Sequence, residues 1–201
     1  MLKKSILLTA ILTTLILTNT SLALTWDGGY HLFDSGYEGE LALLNDASAD
    51  ITGGHIGILW GEDFSTVNTY DGCIIDLLRP NVNCTANVYG GAINDIFTLG
   101  TSTTSAYNGL INIIHSIDSS TVYLYAEMDS FDPTGGIFHD GLLTVTWLDS
   151  GDSISIDLAG DGTYGHIFFV PEPYSISIML FGCICMNNGR NQHFLREMYH
   201  A

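Results

Sequence analysis

Basic residues are almost missing from this chain. Five of the 201 residues are lysine or arginine, against 22 aspartates and glutamates, and the formal net charge is −17. Four of the five lie near the two ends, so Arg79 is the one basic residue of the body, residues 24–170. An acidic exterior of this kind repels phosphate backbones and anionic membrane surfaces. The composition therefore excludes nucleic acid as a partner.

The same scarcity bears on polysaccharide lyases, which are common among β-helical proteins. A lyase needs a base to remove the proton next to a uronate carboxylate, and a cation to neutralise that carboxylate. The body contains no lysine and only one arginine. We therefore do not expect lyase chemistry.

Cysteine is also scarce, with four residues, of which Cys73 and Cys84 lie in the body. In an exported protein such a pair can form a disulfide, which would contribute about 2–3 kcal/mol. Alternatively, both are buried thiols that act as small apolar residues. No histidine or second cysteine pair shares their spacing, so no metal site is predicted and no cofactor is expected.

The apolar run at the N-terminus is shorter than the roughly 20 residues that a transmembrane helix needs. Lys3 and Lys4 precede a short apolar stretch, residues 5–17, and small residues follow at Ser21 and Ala23. This order is typical of a secretory signal peptide over residues 1–23, cleaved between Ala23 and Leu24. The alternative is an uncleaved anchor, for which the run is short.

The body is dominated by a repeat. Matching positions recur at steps of 18, 19, 18 and 18 residues in four kinds of column. Small or apolar residues form the first two columns: Ala49, Val67, Ala86, Thr104 and Val122, then Ile51, Thr69, Val88, Ala106 and Leu124. Polar residues lie between them at Asp50, Asn68, Asn87, Ser105 and Tyr123. Thr52 and then tyrosines follow, at Tyr70, Tyr89, Tyr107 and Tyr125. Glycines come two residues later, at Gly54, Gly72, Gly91 and Gly109. Two residues after each glycine comes an isoleucine, at Ile56, Ile74, Ile93 and Ile111. Three residues after each isoleucine comes a further apolar residue, at Leu59, Leu77, Ile96 and Ile114.

A fixed period with alternating apolar and polar residues indicates one strand, a glycine turn and a second strand per unit. A unit of this length cannot bury its own apolar face, whereas stacked units supply one another's core. The sequence therefore predicts an all-β fold, a parallel β-solenoid of about five coils of 18–19 residues, over residues 24–169. The alternative is an antiparallel β-sandwich.

The flanks of the repeat depart from its pattern. Residues 24–46 alternate aromatic and polar residues, and we expect one or two irregular strands covering the open end. Residues 126–141 are rich in aspartate and glycine and are predicted to form a loop. Residues 142–147 and 153–158 predict a β-hairpin, which with a strand in residues 166–170 would cap the C-terminal end.

The tyrosine column is the strongest candidate for a binding surface. Tyr70, Tyr89, Tyr107 and Tyr125 share the parity of the polar column, so we expect them to face outward as a ladder. Sugars bind to exposed aromatic rings, which offer an apolar body and a polar tip. The alternative is a ladder of rings that stack only on one another and stabilise the solenoid.

No catalytic residue is predicted. A glycosidase needs two carboxylates at a suitable separation. Acidic residues are plentiful, for example Asp71, Asp76 and Asp95, and the last two occupy equivalent positions in the proposed repeat and should lie close together. A repeat creates such pairs automatically, so a hydrolase remains the alternative to a structural protein.

The C-terminal segment, residues 170–201, has a recognisable order. Val170, Pro171, Glu172 and Pro173 are followed by a mostly apolar stretch, residues 174–186, and then by two arginines. This order resembles the PEP-CTERM sorting signal of bacterial exosortase substrates, and the coils and hairpin are similar to solenoid-like members of that group. The alternative is an ordinary C-terminal strand followed by a frayed helix.

The resemblance implies an exosortase-type processing enzyme as a partner, transient association with the inner membrane through the tail, and a final place in the cell envelope or extracellular matrix. It also implies extracellular polysaccharide as a contact. Together with the composition, it leads us to expect an exported, non-enzymatic protein with a structural or adhesive role.

Overall fold

The computed structural model describes residues 23–160 and 162–171, which are all-β apart from one short 3₁₀ helix, Thr163–His166. The strands form two sheets, one of nine strands and one of seven. From the N-terminus, the chain alternates between the two sheets for about six turns. The body is therefore a parallel β-solenoid.

The nine-stranded sheet has a fixed spatial order. It runs β1 (Leu24–Asp27), β3 (Tyr37–Leu44), β5 (His55–Gly61), β7 (Ile74–Pro80), β9 (Ala92–Thr98), β11 (Leu110–Ser116), β15 (Ser153–Leu158), β14 (Leu142–Trp147) and β13 (Ala126–Asp132). The seven-stranded sheet runs β2 (Tyr30–Phe33), β4 (Ser48–Ile51), β6 (Thr66–Thr69), β8 (Thr85–Val88), β10 (Thr103–Ala106), β12 (Thr121–Leu124) and β16 (Ile167–Phe169).

All pairs among β1 to β12 are parallel, with offsets of one coil. This overturns the antiparallel sandwich as an alternative. The solenoid has about six turns rather than about five, because residues 24–46 form a coil of their own. Their strands β1 and β2 pair in parallel with β3 and β4.

That first coil was missed because its inward positions carry large flat side chains. Trp26 takes the place of Leu43, and His31 that of Ala49. The two rings stack on one another at 4.6 Å with an interplanar angle of 4°. The coil is therefore regular in its backbone, while its bulky interior covers the end of the core.

The core lies between the two sheets and follows the predicted columns of the seven-stranded sheet. Val67, Ala86, Thr104 and Val122 are fully buried, and so are the residues of the second inward column. Isoleucines and leucines of the nine-stranded sheet face them, for example Ile93. Inward residues of the seven-stranded sheet thus pack against isoleucines and leucines of the nine-stranded sheet, which fills the interior.

The glycine column turns the corner between the two sheets, as predicted. Gly54, Gly72, Gly91 and Gly109 have φ of 75°, 92°, 92° and 113°. A Cβ at Gly109 would also lie 3.0 Å from the carbonyl oxygen of Gly91 in the coil below. Both the positive φ and the close approach require glycine.

Two predicted columns are wrong by one residue at β7. Ile75, not Ile74, pairs with Ile56 and faces the core, while Ile74 is 49% exposed. Leu78 likewise replaces Leu77. The cause is the corner before β7, which is one residue longer than its neighbours, and in a strand a shift of one residue exchanges the two faces.

At the C-terminal end the hairpin is confirmed, since β14 and β15 pair in antiparallel fashion over the predicted residues. Residues 126–141 are not entirely a loop, because β13 pairs with β14. β13 is an edge strand with little buried apolar surface, so its pattern is weak. The predicted last strand is β16, which continues the seven-stranded sheet beside β12.

Most of the predicted signal peptide, residues 1–22, and most of the predicted sorting tail, Glu172 onward, lie outside the described residues. Within the described part, no helix is both long and apolar enough to cross a membrane.

Candidate functional site

The tyrosine ladder (Tyr70, Tyr89, Tyr107, Tyr125) runs along one corner of the solenoid. Neighbouring rings stack nearly parallel, with centroid distances of 5.3, 4.9 and 4.1 Å along the ladder. Tyr89 is 40% exposed. Both faces of Tyr89 and of Tyr107 are therefore covered by other tyrosines, and a sugar could reach only their edges and hydroxyl groups.

A second ladder, of amide side chains, lies on the outer face of the seven-stranded sheet. Asn68 donates to Asp50 at 2.8 Å, and Asn87 donates to Asn68 at 2.9 Å. On the other sheet, Asn112 donates to Asn94 at 3.2 Å. These groups satisfy one another from coil to coil, which links the coils without an external ligand.

The outer face of the nine-stranded sheet carries a row of flat side chains that sequence reasoning missed. In this outer row, Trp60, Arg79, Phe97 and His115 follow one another across adjacent strands. The Arg79 guanidinium lies 4.3 Å from the Trp60 ring and 5.3 Å from the Phe97 ring. Phe97 in turn stacks on His115 at 4.4 Å. The one basic residue of the body is thus held between two aromatic rings, an arrangement that favours a cation.

The outer row could have been found from the sequence. Its members are spaced by 18 or 19 residues like every other column, but they differ in residue type. The repeat was recognised from positions where the same residue type recurs, and these positions lack that signal.

The large side chains of the outer row end at Trp60, and small side chains occupy the row on its N-terminal side. The positions before Trp60 are occupied by Ala42 and then Thr25, whose side chains are small. One face of Trp60 is covered by Arg79, whereas the other looks onto a hollow of about 250 Å³. This hollow is lined by Glu40, Ala42, Leu44, Trp60 and Glu62.

A larger cleft of about 660 Å³ lies where the glycine corner meets the C-terminal hairpin. Asp71, Asn108 and Asp152 contribute its polar groups. Trp147, which is buried, donates from Nε1 to the carbonyl oxygen of Gly109 at 3.0 Å. The tryptophan thereby fastens the hairpin to the coils at one side of this cleft.

Of the three candidate carboxylates, Asp76 and Asp95 are not register partners. Asp95 pairs with Leu77, not with Asp76, so the expectation that Asp76 and Asp95 occupy equivalent positions is wrong. The register shift before β7 explains the error. Asp76 instead contacts His55 at 3.0 Å.

Asp95 is half-buried between aliphatic neighbours. Leu77 and Ile113 flank it in the adjacent strands, and its Oδ1 has no hydrogen-bond partner among the described residues. Burial raises the pKa of Asp95, and the charge of His115 partly offsets this. The ionised carboxylate is therefore disfavoured at this position.

Cys73 and Cys84 are both buried and free in the structure. They lie at opposite ends of β7, which spans about 20 Å at 3.3 Å per residue. A disulfide needs Cα atoms within about 7 Å, so the pairing considered from the sequence is not formed. The thiols instead pack as small residues.

Cys84 belongs to a buried corner column that the sequence reading missed. This column contains Ala47, Ser65, Cys84, Ser102 and Ser120. Ser102 and Ser120 donate to carbonyl oxygens of their own turns at 2.7 and 2.6 Å. Burial raises the pKa of the Cys84 thiol to about 11, which makes it unreactive near neutral pH.

Among the described residues, no three histidine, cysteine, aspartate or glutamate side chains are grouped in a way that could hold a metal ion. Of the predicted sorting motif, Val170 and Pro171 are described, directly after β16, and Val170 donates its N–H to Leu124 at 2.9 Å. Ala23 and Leu24, the predicted signal cleavage site, lie at the exposed start of β1.

Comparisons of this chain with protein-family models, with curated proteins and with solved structures found no match.

Proposed function

We propose that this chain is an exported, non-enzymatic protein of the bacterial cell envelope or extracellular matrix, with a structural or adhesive role and polysaccharide as its contact. Its C-terminal segment would act as a PEP-CTERM-like sorting signal, recognised by an exosortase-type enzyme. In this proposal the solenoid forms the body of the protein, and the tail directs the protein to the envelope or matrix.

The observation that carries the structural role is the way outward side chains bind one another. The amide ladder is hydrogen-bonded and the tyrosine ladder is stacked from coil to coil. Each ladder adds contacts between successive coils, so the surface reinforces the rod. This use of the surface suits a load-bearing or display role.

The adhesive role is supported by the outer row on the nine-stranded sheet. Its flat side chains are half-buried, and carboxylates lie beside Trp60. Sugars use such features, since rings offer apolar platforms and carboxylates accept hydrogen bonds from hydroxyl groups. The tyrosine ladder is less suited to this task, because its inner rings have no free face.

A carbohydrate-active hydrolase is the second candidate, and one observation favours it. Burial raises the pKa of Asp95, and a glycosidase needs one carboxylic acid that stays protonated to act as general acid.

Sedimentation with polysaccharide separates the two candidates. The exported protein is incubated with insoluble extracellular polysaccharide from the producing bacterium, and bound protein and released reducing sugar are both measured. We expect the protein to sediment without releasing sugar, and D95N to behave like the unchanged protein. Reducing sugar that accumulates with time, and stops accumulating in D95N, would overturn the proposal in favour of the hydrolase.

A further inference from the structure

We propose that the hollow beside Trp60 (Glu40, Ala42, Leu44, Trp60, Glu62) is a subsite for one cationic amino-sugar unit, a hexosamine with a free amino group. This inference rests on the proposed contact with polysaccharide and names the chemistry of that contact. Three features of the hollow carry it: its platform, its size and its charge.

The platform is the open face of Trp60. Arg79 covers the other face at 4.3 Å and is itself held by Phe97 on its far side, so the indole is braced from behind. In front of the ring, the row steps down to Ala42 and then to the exposed Thr25. A pyranose ring can lie over these small residues with its C–H face against the indole, as ligands commonly lie on aromatic walls.

The size of the hollow fits one ring. Its volume of about 250 Å³ falls below the range of pockets for drug-sized ligands, which begins at roughly 300 Å³. The hollow is lined by residues of β3 and by residues at the end of β5, and β3 lies next to β1, the edge strand of the sheet. A longer glycan can therefore extend past the edge while one unit occupies the hollow.

The charge of the hollow selects the sugar. Glu40 and Glu62 lie on the lining, and neither is in an ion pair within the described part of the chain. An ammonium group can form charge-assisted hydrogen bonds with these carboxylates. A uronate would bring a third negative charge to the same place and is disfavoured. Neutral N-acetylated units lack the charge that the carboxylates complement.

The test uses the exported protein and a disaccharide of glucosamine with both amino groups free. Binding is measured by calorimetry against the N-acetylated disaccharide, and against a linear diamine of equal charge. The diamine controls for general attraction to a protein of net charge −17. We expect the free-amine disaccharide to bind at least about tenfold more tightly than either control, a factor that corresponds to the loss of one good charged contact.

Two variants locate the subsite. Glu62→Gln keeps the shape of the hollow and should weaken the free-amine disaccharide about tenfold, whereas Trp60→Ala should weaken it at least as much by removing the platform. Glu38→Gln is the matched control, because Glu38 lies on β3 outside the hollow and should leave binding within about twofold. Circular dichroism confirms that each variant keeps its sheet content.

Several results would overturn the subsite. These are equal binding of the three probes, unchanged binding by Glu62→Gln, or equal weakening by Glu38→Gln. Retention of Trp60→Ala on host polysaccharide as strong as that of the unchanged protein would also overturn it, while leaving the proposed function intact. Conversely, selective binding at the hollow by a protein that releases sugar from polysaccharide would support the subsite and contradict the proposed function.

Discussion

Asp95 illustrates how single residues in this chain depend on the coils above and below them. Its neighbours in the outward row are Leu77 and Ile113, so a carboxylate is placed between two aliphatic side chains. Burial raises its pKa, so at pH values between the unfolded-state and folded-state pKa values the folded chain holds a proton that the unfolded chain has released. The stability that protonated Asp95 supplies is present at low pH and is lost as the pH rises through the raised pKa.

Asp95→Asn should stabilise the protein at pH 7 by about 1 kcal/mol, because it removes a partly desolvated charge while keeping the shape. The gain should shrink as the pH is lowered toward 4, because the raised pKa of Asp95 favours its protonated form as the pH falls. Urea unfolding at both pH values checks this. Asp76→Asn is the matched control, since Asp76 is solvent-exposed and contacts His55, and it should change stability by less than about 1 kcal/mol. A D95N variant less stable than the unchanged protein at pH 7 would contradict the account.

Cys84 is a small residue in a corner column that also contains three serines, and its distance from Cys73 accounts for the absence of a disulfide. With a thiol pKa of about 11 and almost no exposure, it should resist alkylation at pH 8 in the folded protein and react once the protein is unfolded. Peptide mapping after iodoacetamide treatment measures this directly. Cys84→Ser should cost no more than about 1 kcal/mol, because serine occupies the same position in the neighbouring coils. A Cys73–Cys84 disulfide in the native peptide map would show that the corner geometry is wrong.

At the scale of elements, the tyrosine ladder is a stabilising device. Tyr107 stacks on Tyr89 and on Tyr125, and each aromatic pair contributes about 0.5–1.5 kcal/mol. Tyr107→Ala should therefore lower the free energy of unfolding by about 1–3 kcal/mol and leave polysaccharide retention unchanged.

Tyr37→Ala is the control for that prediction. Tyr37 is 69% exposed, and its one aromatic contact among the described residues is a T-shaped contact with His55, so its loss should cost less than about 1 kcal/mol. Thermal unfolding gives the stabilities, and sedimentation with polysaccharide gives the retention. If Tyr107→Ala abolished retention at full stability, the ladder would be a glycan site and the stacking account would fail.

The elements also show what the sequence could and could not predict. The columns at Val67 and Gly91 were identified because the same chemical type recurs at every turn, and the structure confirms them. The extra residue in the corner before β7 was not recognised from the sequence. Ile74 and Ile75 are adjacent isoleucines, and either one completes the apolar column, so the pattern does not reveal which of them faces the core.

The candidate site was harder to predict because the residues of the outer row differ in type from coil to coil. The sequence shows a tryptophan at position 60, but its use as a binding platform depends on Arg79 on one face of the ring and on the small Ala42 beside the other face. Those relations follow from the register between coils, which the one-residue shift had obscured. The tyrosine ladder, in contrast, was found from the sequence alone, and only the stacking distances reveal that its faces are occupied.

For the whole molecule, charge is the dominant global property. The chain carries a net charge of −17. Its like charges repel one another in the folded state, and salt screens that repulsion. The midpoint of thermal unfolding should therefore rise as sodium chloride is increased from about 10 mM to 150 mM, over which the screening length falls from roughly 30 Å to 8 Å. A midpoint that falls with salt would mean that attractive ion pairs outweigh the repulsion.

The most direct test of the whole account is the intact mass and cell fraction of the protein in a host that carries its exosortase. We predict loss of both ends, near Ala23 and near Pro171, with the mature body recovered in the envelope or matrix fraction. A chain cut only at Ala23, with its tail still present and the protein free in the medium, would contradict the claim that this solenoid is sorted to the envelope.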